Sequence, residues 1–292
     1  MEAGKYYDWA RNRVLAEADG CPYAEWSARH GVASFAVHPK GFPVFLDPER
    51  LERFDEYAEG DPYGVESDRQ SAFQRRRFEA TLALVREALA HGPARPRIVD
   101  LGCGEGHITA EIRKTFPQAQ LSGCDGSLTA ISRAVEAYPG IDFAVADACE
   151  PIYRAHYFDG AVCNNLWEHV PDPLRLLETI RRIVRPGGFL IISTPSRYRL
   201  LNLLRIVRGK PALLGSSKHV TEYSVGQVLE HLKFSQFEIC KIDGRDIESR
   251  PHGLKSFVAY RLLRPVIAGY LRLTHSHHSL AATVFYLARV LG

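Results

Sequence analysis

The chain lacks several features that would assign it to other classes of protein. Its six cysteines are scattered over 292 residues without a C-x-x-C pair, which argues against a zinc site. No apolar segment of the secretory type follows Met1, and no run of 18 apolar residues occurs. The longest candidate, residues 256–273, is interrupted by arginines. We therefore expect reduced thiols, a cytoplasmic location and no integral membrane span.

The chain also has little excess of one sign of charge over the other. The formal net charge is only +3, which by itself gives no indication of nucleic-acid binding. The chain has neither internal repeats nor low-complexity tracts, and it is long enough to bury the core of one α/β domain with an appendage. These properties favour a globular protein and leave its oligomeric state open.

A glycine-rich segment at residues 97–106 is the most informative motif. A short apolar run ends at Asp100, and three alternating glycines precede a sequence that suits a helix. The pattern predicts a buried parallel strand that turns sharply into a helix, with a loop whose backbone can contact a ligand. The glycines follow the order G-x-G-x-G, with His107 where a dinucleotide fingerprint has its third glycine, and no Lys-Ser or Lys-Thr follows. Neither a pyrophosphate site nor a P-loop is indicated.

Further apolar segments predict the other strands of the same sheet. They lie at residues 121–125, 141–148, 158–164, 189–195, 237–242 and 282–289, and the last of these also suits a helix. Asp125 ends the first of these segments, 19 residues beyond Gly106. An acid at about this distance accepts hydrogen bonds from ribose hydroxyls in nucleotide-binding folds.

These motifs carry a resemblance to a known family. The glycine loop resembles motif I of class I S-adenosylmethionine-dependent methyltransferases. Residues 166–173 are similar to the Glu-His-Val-x-Asp segment of methyltransferases related to ubiquinone biosynthesis. The resemblance covers roughly residues 95–245. It implies a Rossmann-like α/β fold with a seven-stranded, mostly parallel sheet, helices on both faces, and a last strand antiparallel between the fifth and sixth.

The same resemblance suggests a division of the chain. We expect residues 1–92 to form an N-terminal extension and leading helix. Residues 93–292 then form the cofactor-binding domain, with inserted helical segments at about 197–218 and 253–278. The aromatic-rich first 70 residues either fold over the cofactor or pack as an ordinary appendage.

The resemblance also implies which residues hold S-adenosylmethionine. They are Asp100, Gly102, Cys103, Gly104, Gly106, Asp125, Gly126, Asp147, Ala148 and Asn164. The glycines are expected on the methionine and ribose side, Asp125 at the ribose hydroxyls, and Asp147 with Ala148 at the adenine amino group. Alternatively, Asp100 braces the glycine loop and Asp147 faces solvent.

Two histidines are candidates for a general base, His169 after the fourth strand and His219 after the fifth. The alternative for His169 is packing beside Glu168. The histidine cluster at 275–278 lacks a carboxylate partner, so we expect an exposed loop and no metal. The basic, apolar stretches at 197–211 and 261–272 suit an anionic membrane surface, although a covering of the core is the favoured interpretation.

The predicted function is transfer of a methyl group from S-adenosylmethionine to a small molecule, by direct in-line displacement. The favoured acceptor is a hydroxyl of a sugar, quinone or natural product, free, lipid-linked or on a glycan. An amino sugar or another small amine is the alternative acceptor. A non-catalytic S-adenosylmethionine-binding protein and a nicotinamide oxidoreductase are alternatives of other classes.

Overall fold

A computed structural model describes residues 4–58, 60, 68–245, 261–262, 265–267, 269–271, 273, 276, 278 and 280–292. Side chains within the leading helix are described from residue 74 onward. Residues 253–260, His275 and His277, which belong to the second predicted insertion and the histidine cluster, lie outside the described residues. The described residues between 261 and 273 are helical.

Eight α-helices are delimited in the described part of the chain. They are α1 Trp26–Arg29, α2 Pro48–Phe54, α3 Asp68–Leu89, α4 His107–Thr115, α5 Leu128–Ala137, α6 Pro173–Ile183, α7 Leu200–Val207 and α8 Val225–Phe234. Their starts follow local chemistry. The Ser127 side chain accepts from the Ala130 amide at the start of α5, and Ser224 accepts from the Gln227 amide at the start of α8. None of the described helices is both long and apolar enough to cross a bilayer.

Twelve strands are delimited in the same described ranges. They are β1 Tyr7–Asp8, β2 Arg13–Val14, β3 Gly20–Pro22, β4 Phe35–Val37, β5 Pro43–Val44, β6 Arg97–Leu101, β7 Gln120–Asp125, β8 Asp142–Val145, β9 Phe158–Asn164, β10 Val184–Pro195, β11 Phe237–Arg245 and β12 Thr283–Val290. All six strand segments predicted after the glycine motif are present, and the segment at 282–289 is a strand rather than a helix.

The main sheet has the order β11-β12-β10-β9-β6-β7-β8-β5-β4-β3. Strands β6 to β10 are mutually parallel, and β12 is antiparallel to both β10 and β11. The predicted α/β class, with an antiparallel last strand between the fifth and sixth, is confirmed. Helices α3 and α4 pack on one face, and α6 and α8 pack on the other.

The sheet is wider than the seven strands we predicted, because the N-terminal extension adds β3, β4 and β5 beyond β8. These strands have two or three residues each, too few to show a period-two pattern in the sequence. Packing holds them in place. Trp26, Phe42 and Leu46 are buried against side chains of α5 and β8, and the Trp26 indole donates to the Leu46 carbonyl at 2.7 Å. The extension therefore covers an edge that β8 would otherwise expose.

Candidate active site

A cavity of about 540 Å³ opens at the carboxyl ends of the central parallel strands. Residues from the ends of β6, β7 and β8 line one part of it, and the segment after β9 lines another. Side chains of the N-terminal extension and of α3 complete the wall. They are Arg50, Arg53, Phe54, Glu56, Tyr57, Gln74, Arg77 and Phe78. The position is the one that ligands take in open parallel α/β sheets.

The glycine loop has no side chains at residues 102 and 104. Neighbouring side chains occupy the space where Cβ atoms would lie, so only glycine fits there. Gly102 and Gly104 have φ angles of 69° and 54°, in the left-handed region. A Cβ on Gly102 would lie 2.9 Å from a methyl carbon of Leu166, and one on Gly104 would lie 2.6 Å from the Tyr57 hydroxyl. The loop backbone therefore lies directly under the cavity, between the extension and the segment after β9.

Gly106 has a different role from its two neighbours. It is the N-cap residue of α4 with φ 77°, and a Cβ there would lie 2.8 Å from the Phe143 ring. Gly106 is not among the residues that line the cavity. The packing of α4 against Phe143 of the sheet is thus sufficient to require a glycine here, and a contact of Gly106 with the cofactor stays a prediction.

Asp125 lies at the end of β7 with both carboxylate oxygens held by backbone donors. The Gly104 and Ser127 amides each donate to it at 2.9 Å. Burial raises the pKa of Asp125, and these two hydrogen bonds act in the opposite direction. Each oxygen retains a lone pair for a further donor. The carboxylate can therefore accept from two neighbouring hydroxyls, as the ribose prediction requires.

Asp100 ends the strand that leads into the glycine loop and is almost fully buried. Its carboxyl accepts a 2.6 Å hydrogen bond from the Thr109 hydroxyl on α4. Burial raises the pKa of Asp100 to about 7, while the hydrogen bond and the charge of Arg77 work against the rise. The group therefore connects the end of β6 to α4 and also lines the cavity, and its role toward a cofactor stays a prediction. A cation entering the cavity would favour its ionised form.

Asp147 follows β8 and is tied to the N-terminal extension. Its carboxylate accepts from the Cys149 amide at 2.8 Å and from the guanidinium of Arg50 on α2. Arg50 also donates to both oxygens of Glu150 at 3.0 Å. Asp147 is thus not a freely solvated loop acid, and Arg50 fixes α2 at the rim of the cavity.

A second contact anchors the extension beside the same loop. The Asp55 carboxylate accepts hydrogen bonds from the hydroxyls of Ser127 and Thr129 at the start of α5. An anion at this position is also favoured by the helix dipole. Together with Arg50, Asp55 explains how Phe54 and Tyr57 are positioned over the glycine loop.

The polar groups of the cavity suit S-adenosylmethionine. Asn164 is 6% exposed; its amide oxygen accepts from the Ser193 and Thr81 hydroxyls, but its amide nitrogen has no partner within the described structure. A buried donor of this kind needs an acceptor from a ligand or water. Three carboxyl groups for hydroxyl and ammonium groups, one unpartnered amide and a bare loop suit a cofactor that combines adenosine with an amino acid.

His169 and His219 lie next to each other at the other end of the site. Their ring centroids are 5.1 Å apart, and the planes are nearly perpendicular. His169 lines the cavity, whereas His219 lies behind it. Burial lowers the pKa of His169, and Glu168 and Glu56 oppose that effect. The imidazole is therefore favoured in the neutral form, which can accept a proton.

Behind His219 lies a buried carboxylate, Glu222. It accepts from His219 Nδ1 at 2.8 Å, from the Gly215 amide at 2.5 Å and from Arg199 at 2.5 Å. Burial alone would raise the pKa of Glu222, but these hydrogen bonds and the Arg199 charge outweigh it and lower the pKa. An ionised Glu222 fixes the proton of His219 on Nδ1, which leaves Nε2 as an acceptor.

Glu168, His169 and His219 are also close enough to hold a metal ion, since one ligand atom of each lies within 4.8 Å of the others. Glu168 is fully buried, and its oxygens already accept from Asn165 at 2.9 Å and from Thr194 at 3.1 Å. The three side chains therefore offer two alternative roles, a proton path through His169 or a cation site. A chelator distinguishes the two.

The cavity brings most of the predicted cofactor residues together. Those that line it are Asp100, Gly102, Cys103, Gly104, Asp125, Gly126, Asp147, Ala148 and Asn164. Gly106 and His219 lie outside the lining, as described above. Burial raises the pKa of Cys103, so the thiol stays protonated beside the loop.

Comparison with known proteins identifies the family. A profile of the methyltransferase domain family matches residues 73–241, more than half of the chain. The chain belongs to this family. The prediction of an S-adenosylmethionine-dependent methyltransferase is thereby confirmed at the level of the family. The roles of individual residues, and the division of the chain at residue 92, stay predictions.

Relatives of this family member differ in what their names say they act on. It is 34% identical over 123 residues to a trans-aconitate 2-methyltransferase of Deinococcus radiodurans, covering 41% of this chain and 46% of the relative. It is 29% identical over 163 residues to a ubiquinone biosynthesis O-methyltransferase of Histophilus somni, covering 52% and 65% of the two chains. The alignments thus span less than two thirds of these relatives.

A solved structure supports the fold alone. The crystal structure of the [4+2]-cyclase SpnF superimposes with a TM-score of 0.54 at 20% identity, covering 78% of this chain and 86% of the cyclase. Because this neighbour carries the name of a cyclase, the fold by itself does not determine the reaction.

Sequence reasoning missed the residues that reach the cavity from distant parts of the chain. Arg50, Tyr57 and Lys218 all line it, yet none lies in a recognisable motif. The aromatic-rich extension was the available signal for Tyr57. No local pattern indicated that Arg50 would pair with Asp147, nearly a hundred residues away.

Proposed function

We propose that this protein transfers the methyl group of S-adenosylmethionine to an oxygen atom of a small molecule. The observation that carries the proposal is one cavity lined both by a bare glycine loop with three carboxyl groups and by a histidine favoured in its neutral form. The first set suits the cofactor, and the histidine suits an acceptor that must lose a proton.

We assign the binding roles from the hydrogen-bond donors and acceptors that these side chains still have available. Asp125 offers two oxygens to the ribose hydroxyls, and Asn164 offers an unpartnered amide nitrogen. Asp147, held by Arg50, accepts from the adenine amino group. Asp100 supplies a buried carboxylate that complements positive charge. When bound, the cofactor supplies an electrophilic methyl group on a positively charged sulfur.

The residues of the acceptor end orient the acceptor and receive its proton. His169 is in the cavity wall and takes the proton of an attacking hydroxyl. The ring of His219 packs edge-on against its imidazole, and the charges of Glu168 and Glu56 favour the positive form that results. Tyr57 and Phe54 cover the loop and limit the access of water.

The choice of oxygen over nitrogen rests on this proton acceptor and on a relative whose name includes O-methyltransferase. A phenol and a sugar hydroxyl both meet this requirement, whereas a carboxylic acid is already ionised near neutral pH and needs no base. We further propose that the acceptor is a sugar, quinone or natural product, free or lipid-linked, and that the protein is cytoplasmic.

The decisive experiment supplies purified protein with S-adenosylmethionine labelled in its methyl group and a panel of hydroxyl, carboxyl and amine acceptors. We expect label on oxygen, loss of turnover in His169→Gln with cofactor affinity retained, and near-normal turnover in the control His91→Gln. Activity that persists with a chelator identifies a proton path, and activity lost with it identifies a cation site. Label found only on nitrogen, or no transfer to any acceptor, would contradict the proposal.

A further inference from the structure

Two segments of the chain combine many cations with no acidic residue. Residues 197–221 contain six Lys or Arg, and residues 249–280 contain five, although neither segment holds any of the 34 Asp and Glu residues of the protein. The reaction proposed above uses few of these cations. Arg199 is paired with Glu222, and Lys218 lies 3.7 Å from Glu56 at the cavity. The others need a different explanation.

The second segment presents a stripe of apolar side chains to solvent. Leu262, Val266, Tyr270 and Leu273 are 68%, 71%, 65% and 84% exposed. Their spacing of four, four and three residues places them on one face of a helix, and the described residues between 261 and 273 are helical. A helix that packs its apolar face on the core would bury these positions. This face is directed outward instead.

The first segment exposes apolar and basic side chains together. Ile206 and Val207 at the end of α7 are 43% and 77% exposed, and Leu213 is 50% exposed. Arg205, Arg208 and Lys210 lie among them, and within the described structure no carboxylate forms an ion pair with any of the three. Cations that are not neutralised by the protein remain available to an anionic partner.

Both segments leave the sheet at the same place. Pro195 at the end of β10 is paired with Thr283 at the start of β12. The Leu200 amide, at the start of α7, donates to the Leu280 carbonyl at 3.3 Å. Because β10 is parallel to β9, this is the edge that carries the cavity. The described parts of the two segments therefore meet the sheet at the end that carries the acceptor part of the site.

We propose that α7, residues 208–213 and the described residues between 261 and 273 form a docking face for an anionic lipid bilayer. Apolar side chains flanked by unpaired Lys and Arg suit insertion into the headgroup region, where anionic lipids attract the cations. The attachment that we propose is peripheral, through side chains exposed on this face. A second copy of this chain is a poorer occupant, because it would bring two acid-free, cationic surfaces together.

The docking face goes beyond the proposed methyl transfer and stands on its own observations. Its position on the same edge as the cavity would let an acceptor dissolved in the bilayer approach the site without crossing bulk water. Membrane binding and methyl transfer can be measured separately, so failure of one leaves the other unaffected.

The test is co-sedimentation of the full chain with vesicles of phosphatidylcholine alone or mixed with phosphatidylglycerol, over a series of salt concentrations. We expect binding to the mixed vesicles that weakens with salt. The substitution sets V266Q/Y270Q/L273Q and R205Q/R208Q/K210Q should each weaken it about tenfold or more. Matched changes of exposed residues elsewhere, V14Q/V32Q/F234Q and R29Q/R113Q/K114Q, should leave it within about twofold.

As a control for folding, cofactor binding and the midpoint of thermal unfolding are measured for every variant. Absence of vesicle binding, or equal binding to both kinds of vesicle, would overturn the proposal. Light scattering provides a second test. If the unchanged protein is a dimer, and either set of docking-face substitutions converts it to a monomer, the face binds a second copy of the chain and the proposal is wrong.

Discussion

Three carboxyl groups at the ends of neighbouring strands are held in three different ways. Asp125 has backbone donors on both oxygens, and Asp147 is paired with an arginine from the extension. Asp100 accepts from one hydroxyl and is almost fully buried. Their spacing in the sequence was sufficient to find them. Their different environments could not be predicted, because each depends on a partner that only the fold brings close.

Replacing Asp125 by alanine tests the ribose assignment. We expect Asp125→Ala to weaken cofactor binding by about 1.5–3 kcal/mol, the range for hydrogen bonds to a charged group. Calorimetric titration with S-adenosylhomocysteine measures this change. Asp243→Ala, on β11 and paired only with Arg245 in the described structure, is the control and should bind normally. Unchanged affinity in Asp125→Ala would remove the residue from the proposed site.

Asp100 predicts a pH dependence of stability. Its pKa is about 7 in the folded protein and 3.8 in the reference state, so the folded state binds more protons between these values. Within that window the contribution of Asp100 to the free energy of unfolding therefore falls as pH rises. Urea unfolding of the cofactor-free protein measures the free energy of unfolding from pH 4 to 7.5. The contribution of Asp100 should make this free energy decrease more with pH in the unchanged protein than in Asp100→Asn.

The same group makes cofactor affinity depend on pH in the opposite sense. A cationic ligand favours the ionised carboxyl, so affinity for S-adenosylmethionine should increase as pH rises through about 7. If Asp100→Asn shows the same pH profile as the unchanged protein, the carboxyl does not sense the ligand's charge.

At the level of elements, the strands from β6 onward and the helices between them could be predicted from apolar runs, glycines and caps. The segment 282–289 was ambiguous because its residues suit both helix and strand, and the pairing of β12 between β10 and β11 resolves it. Gly106 illustrates the limit of motif reasoning. It belongs to the glycine pattern, but its absence of a side chain serves the contact between α4 and Phe143.

Gly106→Ala distinguishes packing from ligand contact. The added Cβ meets the Phe143 ring, and the positive φ disfavours alanine, so the free energy of unfolding should fall by about 1–3 kcal/mol. Calorimetry on the folded fraction should give nearly unchanged cofactor affinity, since Gly106 does not line the cavity. A large loss of affinity with normal stability would restore the direct role.

Helix α2 should act as a partial cover whose position depends on Arg50. Arg50→Gln removes the pairs with Asp147 and Glu150, which are partly exposed and together contribute on the order of 1 kcal/mol. We expect cofactor dissociation to become about three- to tenfold faster in stopped-flow fluorescence. Arg29→Gln, which loses only an exposed pair with Glu25, should dissociate at the normal rate.

On the scale of the whole molecule, the extension and the parallel sheet share one core. Phe35 and Val44, buried in β4 and β5, are fully enclosed, and α2 is fixed at the cavity rim. The described residues of this region continue the sheet and also line the cavity, so the two interpretations of the first 70 residues do not exclude each other. A sequence pattern could show that the region was rich in aromatics but not which strand it would extend.

Removal of residues 1–58 tests this arrangement. The shortened chain should expose the edge of β8 and the apolar side of α5, and we expect aggregation or a lowered midpoint of thermal unfolding together with loss of cofactor binding. Light scattering and calorimetry measure the two effects. A shortened chain that stays monomeric and binds with normal affinity would show that the extension is dispensable.

The long separation between β5 and β8 has a consequence for how the protein is made. Val44 pairs with Val145, so a chain growing from its N-terminus must be extended by about a hundred residues before the partner strand exists. During that interval Trp26, Phe35 and Phe42 have no sheet to pack against. Newly synthesised chains should therefore need protection by a chaperone until the eighth strand has left the ribosome.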